Sequence, residues 1–174
     1  DIPEGDKEKL ARTLFCFENP PGTKYVSGSQ DSLGIVLPGL NRLYYNGDYW
    51  PESIESITDR DLLGWIEERL WLVPLSPRHA EYDVLADTRI NESDAQRLSQ
   101  AAEACWQALK AKDVIAWGKA ASDSFEAQVA MFPNMIVSEV STVLETYKSK
   151  VLGWKISGAG GGGYLVFVSE QPIE

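Results

Sequence analysis

Glycine is concentrated in one stretch of this chain, between two segments that want to be strands. KISGAGGGGYLVFVSE runs from Lys155 to Glu170, and five of the six residues from Gly158 to Gly163 are glycine. Each costs roughly 0.5–1 kcal/mol relative to alanine at a regular position, because glycine loses the most backbone freedom on ordering. The flanking runs VLGWKIS and YLVFVSE are β-prone. A tight hairpin needs only one or two glycines, so a simple turn leaves most of them unexplained. Gly158, Gly160 and Gly163 satisfy G-x-G-x-x-G. A dinucleotide fingerprint, however, opens a helix and meets an acidic residue ~20 positions on, whereas here a strand-like run follows. The remaining reading is bare backbone in close approach: successive N–H groups can converge on phosphate oxygens, or a neighbouring loop can pack tightly.

Charge narrows the partners. The chain has 174 residues and a formal net charge of −10, with 44% hydrophobic residues, enough for a core. A general nucleic-acid surface would need the opposite sign. No apolar run approaches the ~18 residues of a spanning helix, and no signal-peptide pattern opens the chain. The start, DIPEGDKEKL, has no initiator Met and reads as part of a longer protein. Cys16 and Cys105 lack CxxC spacing and read as reduced, partly buried thiols, which suits a cytoplasmic location. His79 is the only histidine, so a histidine-cluster metal site is excluded.

Along the chain, residues 5–17 predict a helix with Leu10, Leu14 and Phe17 on one face. ENPPGTK breaks it. YVSGSQDSLG reads as irregular, and GIVLPGLNRLYYNGDYW as strand material with a hairpin signal at Asn46–Asp48. TDRDLLGWIEE predicts a short helix capped by Thr58 or Asp59. RLWLVPLSP reads as a buried strand, and RHAEYDVLADTRI as a long connection. Three helices follow. The first spans about Glu92 to Ala111, with Asn91 as cap and a stripe of Ala95, Leu98, Ala102, Cys105 and Leu109. The second starts at Asp113, buries Val114, Trp117, Ala121, Phe125, Val129 and Phe132, and stops at Pro133. The third covers about Met135 to Lys148.

Two stretches resemble a known family. KISGAGGGGYLVFVSE resembles the C-terminal glycine motif of the GHMP kinases, the superfamily of galactokinase, homoserine kinase and mevalonate kinase. SGSQDSLGIVLPGLNRLYY, Ser27 to Tyr45, resembles the segment of its sugar kinases in which Gly-x-x-Asp precedes a strand pair. Gly28 and Asp31 carry that pattern. FEAQVAMFPNM, Phe125 to Met135, is similar to the branch of L-fucose and glycero-manno-heptose phosphate kinases. The likeness covers nearly the whole chain but only the C-terminal part of the family's usual length. The family's nucleotide loop and its Ser and Glu magnesium ligands have no counterpart here.

The resemblance implies an α+β fold. Residues 1–58 would end the N-terminal domain, and 59–174 would form the C-terminal domain, an antiparallel sheet backed by helices and similar to a ferredoxin-like sandwich. It implies an ATP-dependent sugar kinase of fucose, hexose or heptose type, using ATP and Mg2+ and inactive without its N-terminal part. Asp31 would be the catalytic base. Gly28 and the loop Gly158, Ala159, Gly160, Gly161, Gly162 and Gly163 would line the substrate and phosphate site. Lys155 either contacts a phosphate or acidic neighbour, or is a solvated strand lysine. Arg78 either holds a sugar hydroxyl or phosphate through its planar fork, or forms a surface salt bridge. His79 and Tyr82 are further candidates, and no metal ligand is assigned. The alternatives are a non-catalytic kinase-like module that binds a sugar or partner, and a structural domain whose glycine loop is a turn.

Overall fold

Asp6, Asp59, Asn91 and Asp113 each start a helix by accepting an N–H of its first turn. The computed structural model describes residues 4–79, 81–83 and 85–173; Asp1–Pro3 of the opening segment, and Ala80 and Val84 of the long connection, lie outside the described residues. The chain divides into two compact units, Asp1–Leu63 and Gly64–Glu174, and the division falls within the helix Arg60–Glu67. No described helix is long and apolar enough to cross a membrane.

In the first unit, α1 (Lys7–Glu18) begins where the Asp6 carboxylate accepts the Lys9 N–H at 3.0 Å, satisfying one of the orphan donors of the first turn. Its buried face is Leu10, Ala11 and Leu14, packed on Leu33 and Val36. Phe17, expected to face inward, is 82% exposed: the stripe turns towards the fully buried Ala11, and the Phe15 ring meets Trp50 edge-on at 6.0 Å. The irregular reading before Gly34 is also corrected. Gln30–Val36 forms α2, because Leu33 and Val36, three apart, share a helix face that the α1 stripe covers. Strand structure begins only at β1 (Leu40–Tyr44), which pairs antiparallel with β2 (Ser53–Ile57) from Leu40↔Ile57 to Tyr44↔Ser53. The NGD signal lies in the connection of this β-hairpin, between Tyr44 and Ser53, where Gly47 has φ +82°. The Cys16 thiol on α1 is exposed, not partly buried.

The second unit is an antiparallel sheet backed by helices. After α3 (Arg60–Glu67), whose first turn is capped by Asp59 accepting the Leu62 N–H at 2.8 Å, come β3 (Leu70–Pro74), α4 (Glu92–Ala111), α5 (Val114–Met131), a short 3-10 turn (Pro133–Met135), α6 (Ser138–Tyr147), β4 (Gly153–Ile156) and β5 (Tyr164–Val168). The strand order is β3-β5-β4, with Leu70↔Val168 and Gly153↔Val168 in register. Central β5 supplies Leu165 and Phe167, both fully buried, to a core shared with Leu75, Phe125, Met135, Val140 and Ile156. β3 is an edge strand, not a buried one. Its Trp71 and Val73 face this core while Leu72 is 56% exposed, as the two-residue period of a sheet covered on one face requires.

Asn91 caps α4 by accepting the Asp94 N–H at 2.9 Å, and Asp113 caps α5 through the Ala116 N–H at 2.9 Å. The α4 face differs from the predicted stripe. Ala95 and Ala102 are exposed, whereas Ala101, Trp106, Ala108 and Leu109 are buried and Leu98 and Cys105 half-buried; sinking the large Trp106 rolls the helix by about one residue. On α5, Val114, Trp117, Ala121 and Phe125 are buried as expected. The third helix starts at Ser138, because Pro133–Met135 winds as a 3-10 turn first.

α5 runs so close to β4 that two glycines are needed. A Cβ on Gly153 would overlap the Gly118 backbone, and one on Gly118 would lie 2.6 Å from the Leu152 carbonyl. At this contact the Ser122 hydroxyl accepts the Trp154 N–H at 3.2 Å, so the helix satisfies a backbone donor on the open side of an edge strand.

Candidate functional site

The glycine run connects β4 to β5 and is locked against the chain leaving β3. Leu75 N–H donates to the Gly163 carbonyl at 2.9 Å, carrying the β3–β5 pairing one step beyond the strands. Arg78 Nε then donates to the Gly160 carbonyl at 2.8 Å, and the Tyr82 hydroxyl to the Ala159 carbonyl at 2.8 Å. The loop backbone is unusual: φ is +66° at Gly158, +76° at Gly160, +68° at Gly161 and +90° at Gly163, where a Cβ would cost about 1–2 kcal/mol per residue. Close approach adds a second requirement. A Cβ on Gly161 would overlap the Tyr82 ring, one on Gly162 would sit 2.6 Å from the Ser76 carbonyl oxygen, and one on Gly160 would sit 2.9 Å from Met135 Cα.

The chain leaving β3 is anchored in turn. Both carboxylate oxygens of Glu139, in the first turn of α6, accept the Ser76 N–H, at 3.1 and 3.0 Å, and Oε1 also accepts the Ser76 hydroxyl at 3.0 Å. An acidic residue is favourable at that helix position. The Tyr82 phenol is raised above its ordinary value, first by burial and against the pull of Arg78, and so stays a protonated donor to Ala159.

The lock uses loop carbonyls and leaves donors over. Among the described residues, no N–H group from Gly158 to Gly163 donates a hydrogen bond of good geometry, although Gly158 and Ala159 form a turn. Arg78 commits only its Nε, and its Nη2 lies beside Gly158, where a Cβ would be 3.7 Å away. A planar guanidinium with free Nη groups next to free main-chain donors is an arrangement that suits an anion.

Lys155 turns elsewhere. Its ammonium donates to Ser124 Oγ at 3.0 Å and to Gln128 Oε1 at 2.9 Å, both on α5. Burial holds its pKa below the ordinary lysine value, partly countered by Cys105, while burial raises the Cys105 thiol. His79 is exposed.

In the first unit, Asp31 stands exposed in the first turn of α2. Ser29 beside it is fully buried; its hydroxyl donates to the Tyr49 carbonyl at 2.6 Å and meets the Tyr45 hydroxyl at 3.0 Å. Gly28 gives the Gln30 side chain room, since a Cβ there would overlap it. Ser29 was not singled out from the sequence, and the small-residue run SGS was its only signal. Among the described residues no group of three His, Cys, Asp or Glu could hold a metal ion.

No protein-family model matches the chain, and no curated protein matches it. Among solved structures, one described as a crystal structure of mevalonate kinase aligns with 95% of this chain at a TM-score of 0.68 and 15% identity. The alignment takes in 50% of that chain, so this chain spans about half its length. The likeness concerns the fold: an α+β architecture with a small antiparallel sheet backed by helices, consistent with the fold of a GHMP kinase C-terminal domain. At 15% identity it shows the fold alone.

Proposed function

We propose that this chain is the C-terminal part of an ATP-dependent kinase that transfers the γ-phosphate to a sugar hydroxyl of fucose, hexose or heptose type, working within a longer polypeptide that completes the nucleotide site. The observation that carries this reading is the locked glycine loop, whose carbonyls are taken by Arg78 and Tyr82 while its N–H groups and the Arg78 Nη groups remain for phosphate oxygens. Likeness in fold to a mevalonate kinase supports it.

In this reading Asp31 accepts the proton of the sugar hydroxyl as that oxygen attacks the γ-phosphorus and the bond to ADP breaks. Phosphoryl transfer depends mainly on positioning and charge stabilisation, so one carboxylate at the acceptor suffices. Gly158 to Gly163 and Arg78 bear on the phosphates, and Gly28, whose bare Cα leaves room for the Gln30 side chain, lines the substrate side with Asp31. Lys155 serves from behind, tying β4, and so the start of the loop, to α5. ATP and Mg2+ belong to this reading. Among the described residues no group of three His, Cys, Asp or Glu is placed to hold the ion.

The test uses the full-length gene product with ATP, Mg2+ and a panel of monosaccharides, read as ADP release and sugar phosphate formed. Asp31→Asn should lower kcat by about 10²–10⁴-fold, the usual worth of a general base, with ATP affinity kept. Transfer that survives Asp31→Asn would take the base role from Asp31, and sugar binding without transfer to any sugar would replace the kinase by a binding module.

A further inference from the structure

The first unit carries a cavity of about 510 Å³ where α1 meets the connection between β1 and β2, lined by Arg12, Asn46, Asp48, Tyr49, Trp50 and Glu52. This lies within the ~300–1,000 Å³ usual for small-ligand sites. Its wall is preformed. The Arg12 guanidinium lies 4.1 Å over the Trp50 ring, Phe15 meets that ring edge-on at 6.0 Å, and Trp50 packs on the core of Ala11, Leu33 and Val36. The Ser29 hydroxyl holds the Tyr49 carbonyl at 2.6 Å, yet the Tyr49 side of the wall stays open, with that residue 63% exposed.

The hydrogen-bonding groups here are unspent. Among the described residues, the side chains of Asn46, Asp48 and Glu52 have no partner, and Arg12 gives Nε and Nη2 to Glu8 while Nη1 stays free. Two carboxylates offer acceptors only, the guanidinium donors only, and the amide both. An anion would use Arg12 and Asn46 but face two carboxylates. An amine would use Asp48 and Glu52 but meet Arg12 already occupying the Trp50 face. A hydroxyl donates and accepts at once, so an array of hydroxyls uses every group, and the exposed Tyr49 ring supplies a face for C–H-bearing surface.

We infer that this pocket binds a neutral polyhydroxylated ligand of monosaccharide size, held by Asp48 and Glu52 as acceptors, Asn46 and Arg12 as donors and Tyr49 as platform. Asp31 does not line it, and the inference does not rest on phosphoryl transfer. The experiment is saturation-transfer NMR on this chain with D-glucose, D-galactose, D-mannose and L-fucose. Transfer to the ring protons of at least one sugar is expected. Tyr49→Ala and the double variant Asp48→Asn/Glu52→Gln should each weaken binding at least about tenfold, the worth of one hydrogen bond to a charged group. All three altered side chains are solvent-facing, and an unchanged urea midpoint checks the fold. No transfer to any sugar, transfer indifferent to the pocket variants, or stronger binding of choline that the pocket variants abolish overturns the inference. Failure of the kinase reading would instead appear as absent phosphoryl transfer with sugar binding intact.

Discussion

Arg78 Nε donates to the Gly160 carbonyl at 2.8 Å across 82 positions of the chain. One guanidinium edge thus fixes the loop while its Nη groups stay free. Lysine cannot do both, because an ammonium is a point charge without a rigid fork. If the proposed kinase function holds, Arg78→Ala in the full-length protein should raise the KM for ATP at least about tenfold, matching a charge-assisted bond of about 1.5–3 kcal/mol. Arg78→Lys should restore the charge but not the KM. An unchanged KM in both variants would confine Arg78 to holding the loop.

Gly161 and Gly163 separate backbone strain from crowding. Both have positive φ, but a Cβ on Gly161 would overlap the Tyr82 ring, whereas one on Gly163 meets nothing within 4 Å. Gly163→Ala should lose about 1–2 kcal/mol of stability from strain alone. Gly161→Ala should lose that plus about 0.5–1.5 kcal/mol as Tyr82 leaves its bond to Ala159. Urea unfolding measures both, and in a Tyr82→Ala background the two losses should become equal. Equal losses with Tyr82 present would show that the ring yields freely.

Features set by neighbouring residues were legible in the sequence; those set by partners far along the chain were not. Asn91 and Asp113 announce their helices because a capping oxygen reaches an N–H only three residues on. The α4 face was misjudged by one residue, since only the packing of Trp106 decides between Ala101 and Ala102. α2 hid behind Gly28 and Gly34, because its helicity depends on Leu33 and Val36 finding the α1 stripe. The glycine run declared its need for close approach, but the groups that approach, Tyr82, Ser76 and Met135, lie tens of residues away or more. The direction taken by Lys155 likewise depends on α5, which no local pattern connects to β4.

The α5–β4 crossing tolerates no side chain at its closest point. Gly153 lies in a strand, so its replacement tests crowding without strain at positive φ. Its added Cβ would meet the Gly118 backbone, which cannot swing aside as a side chain does. Gly153→Ala should therefore reach or exceed the upper end of the ~1–3 kcal/mol typical of overpacking, read as a lower urea midpoint. Ser122→Ala, which only removes the acceptor of the Trp154 N–H, should lose about 1 kcal/mol. A Gly153→Ala loss no larger than that of Ser122→Ala would mean that helix and strand can separate at little cost.

The Lys155 ammonium should leave a pH signature in stability. Burial lowers its folded pKa, whereas the unfolded lysine keeps its proton to about pH 10.4. Between the two values the unfolded chain binds more protons, and stability from this group rises with pH. Below the folded value both states are protonated, and the burial cost stands in full. Methionine carries no proton, so wild type should gain on Lys155→Met as pH climbs from neutral towards the ordinary lysine range. The Cys105 thiol is raised by the same burial and coupled to Lys155; comparing the two chains in a Cys105→Ala background removes that contribution. Urea unfolding across this pH range reads the difference directly. A stability difference flat with pH would mean that the ammonium between Ser124 and Gln128 remains hydrated, and that its hydrogen bonds, not its burial, define its place in the fold.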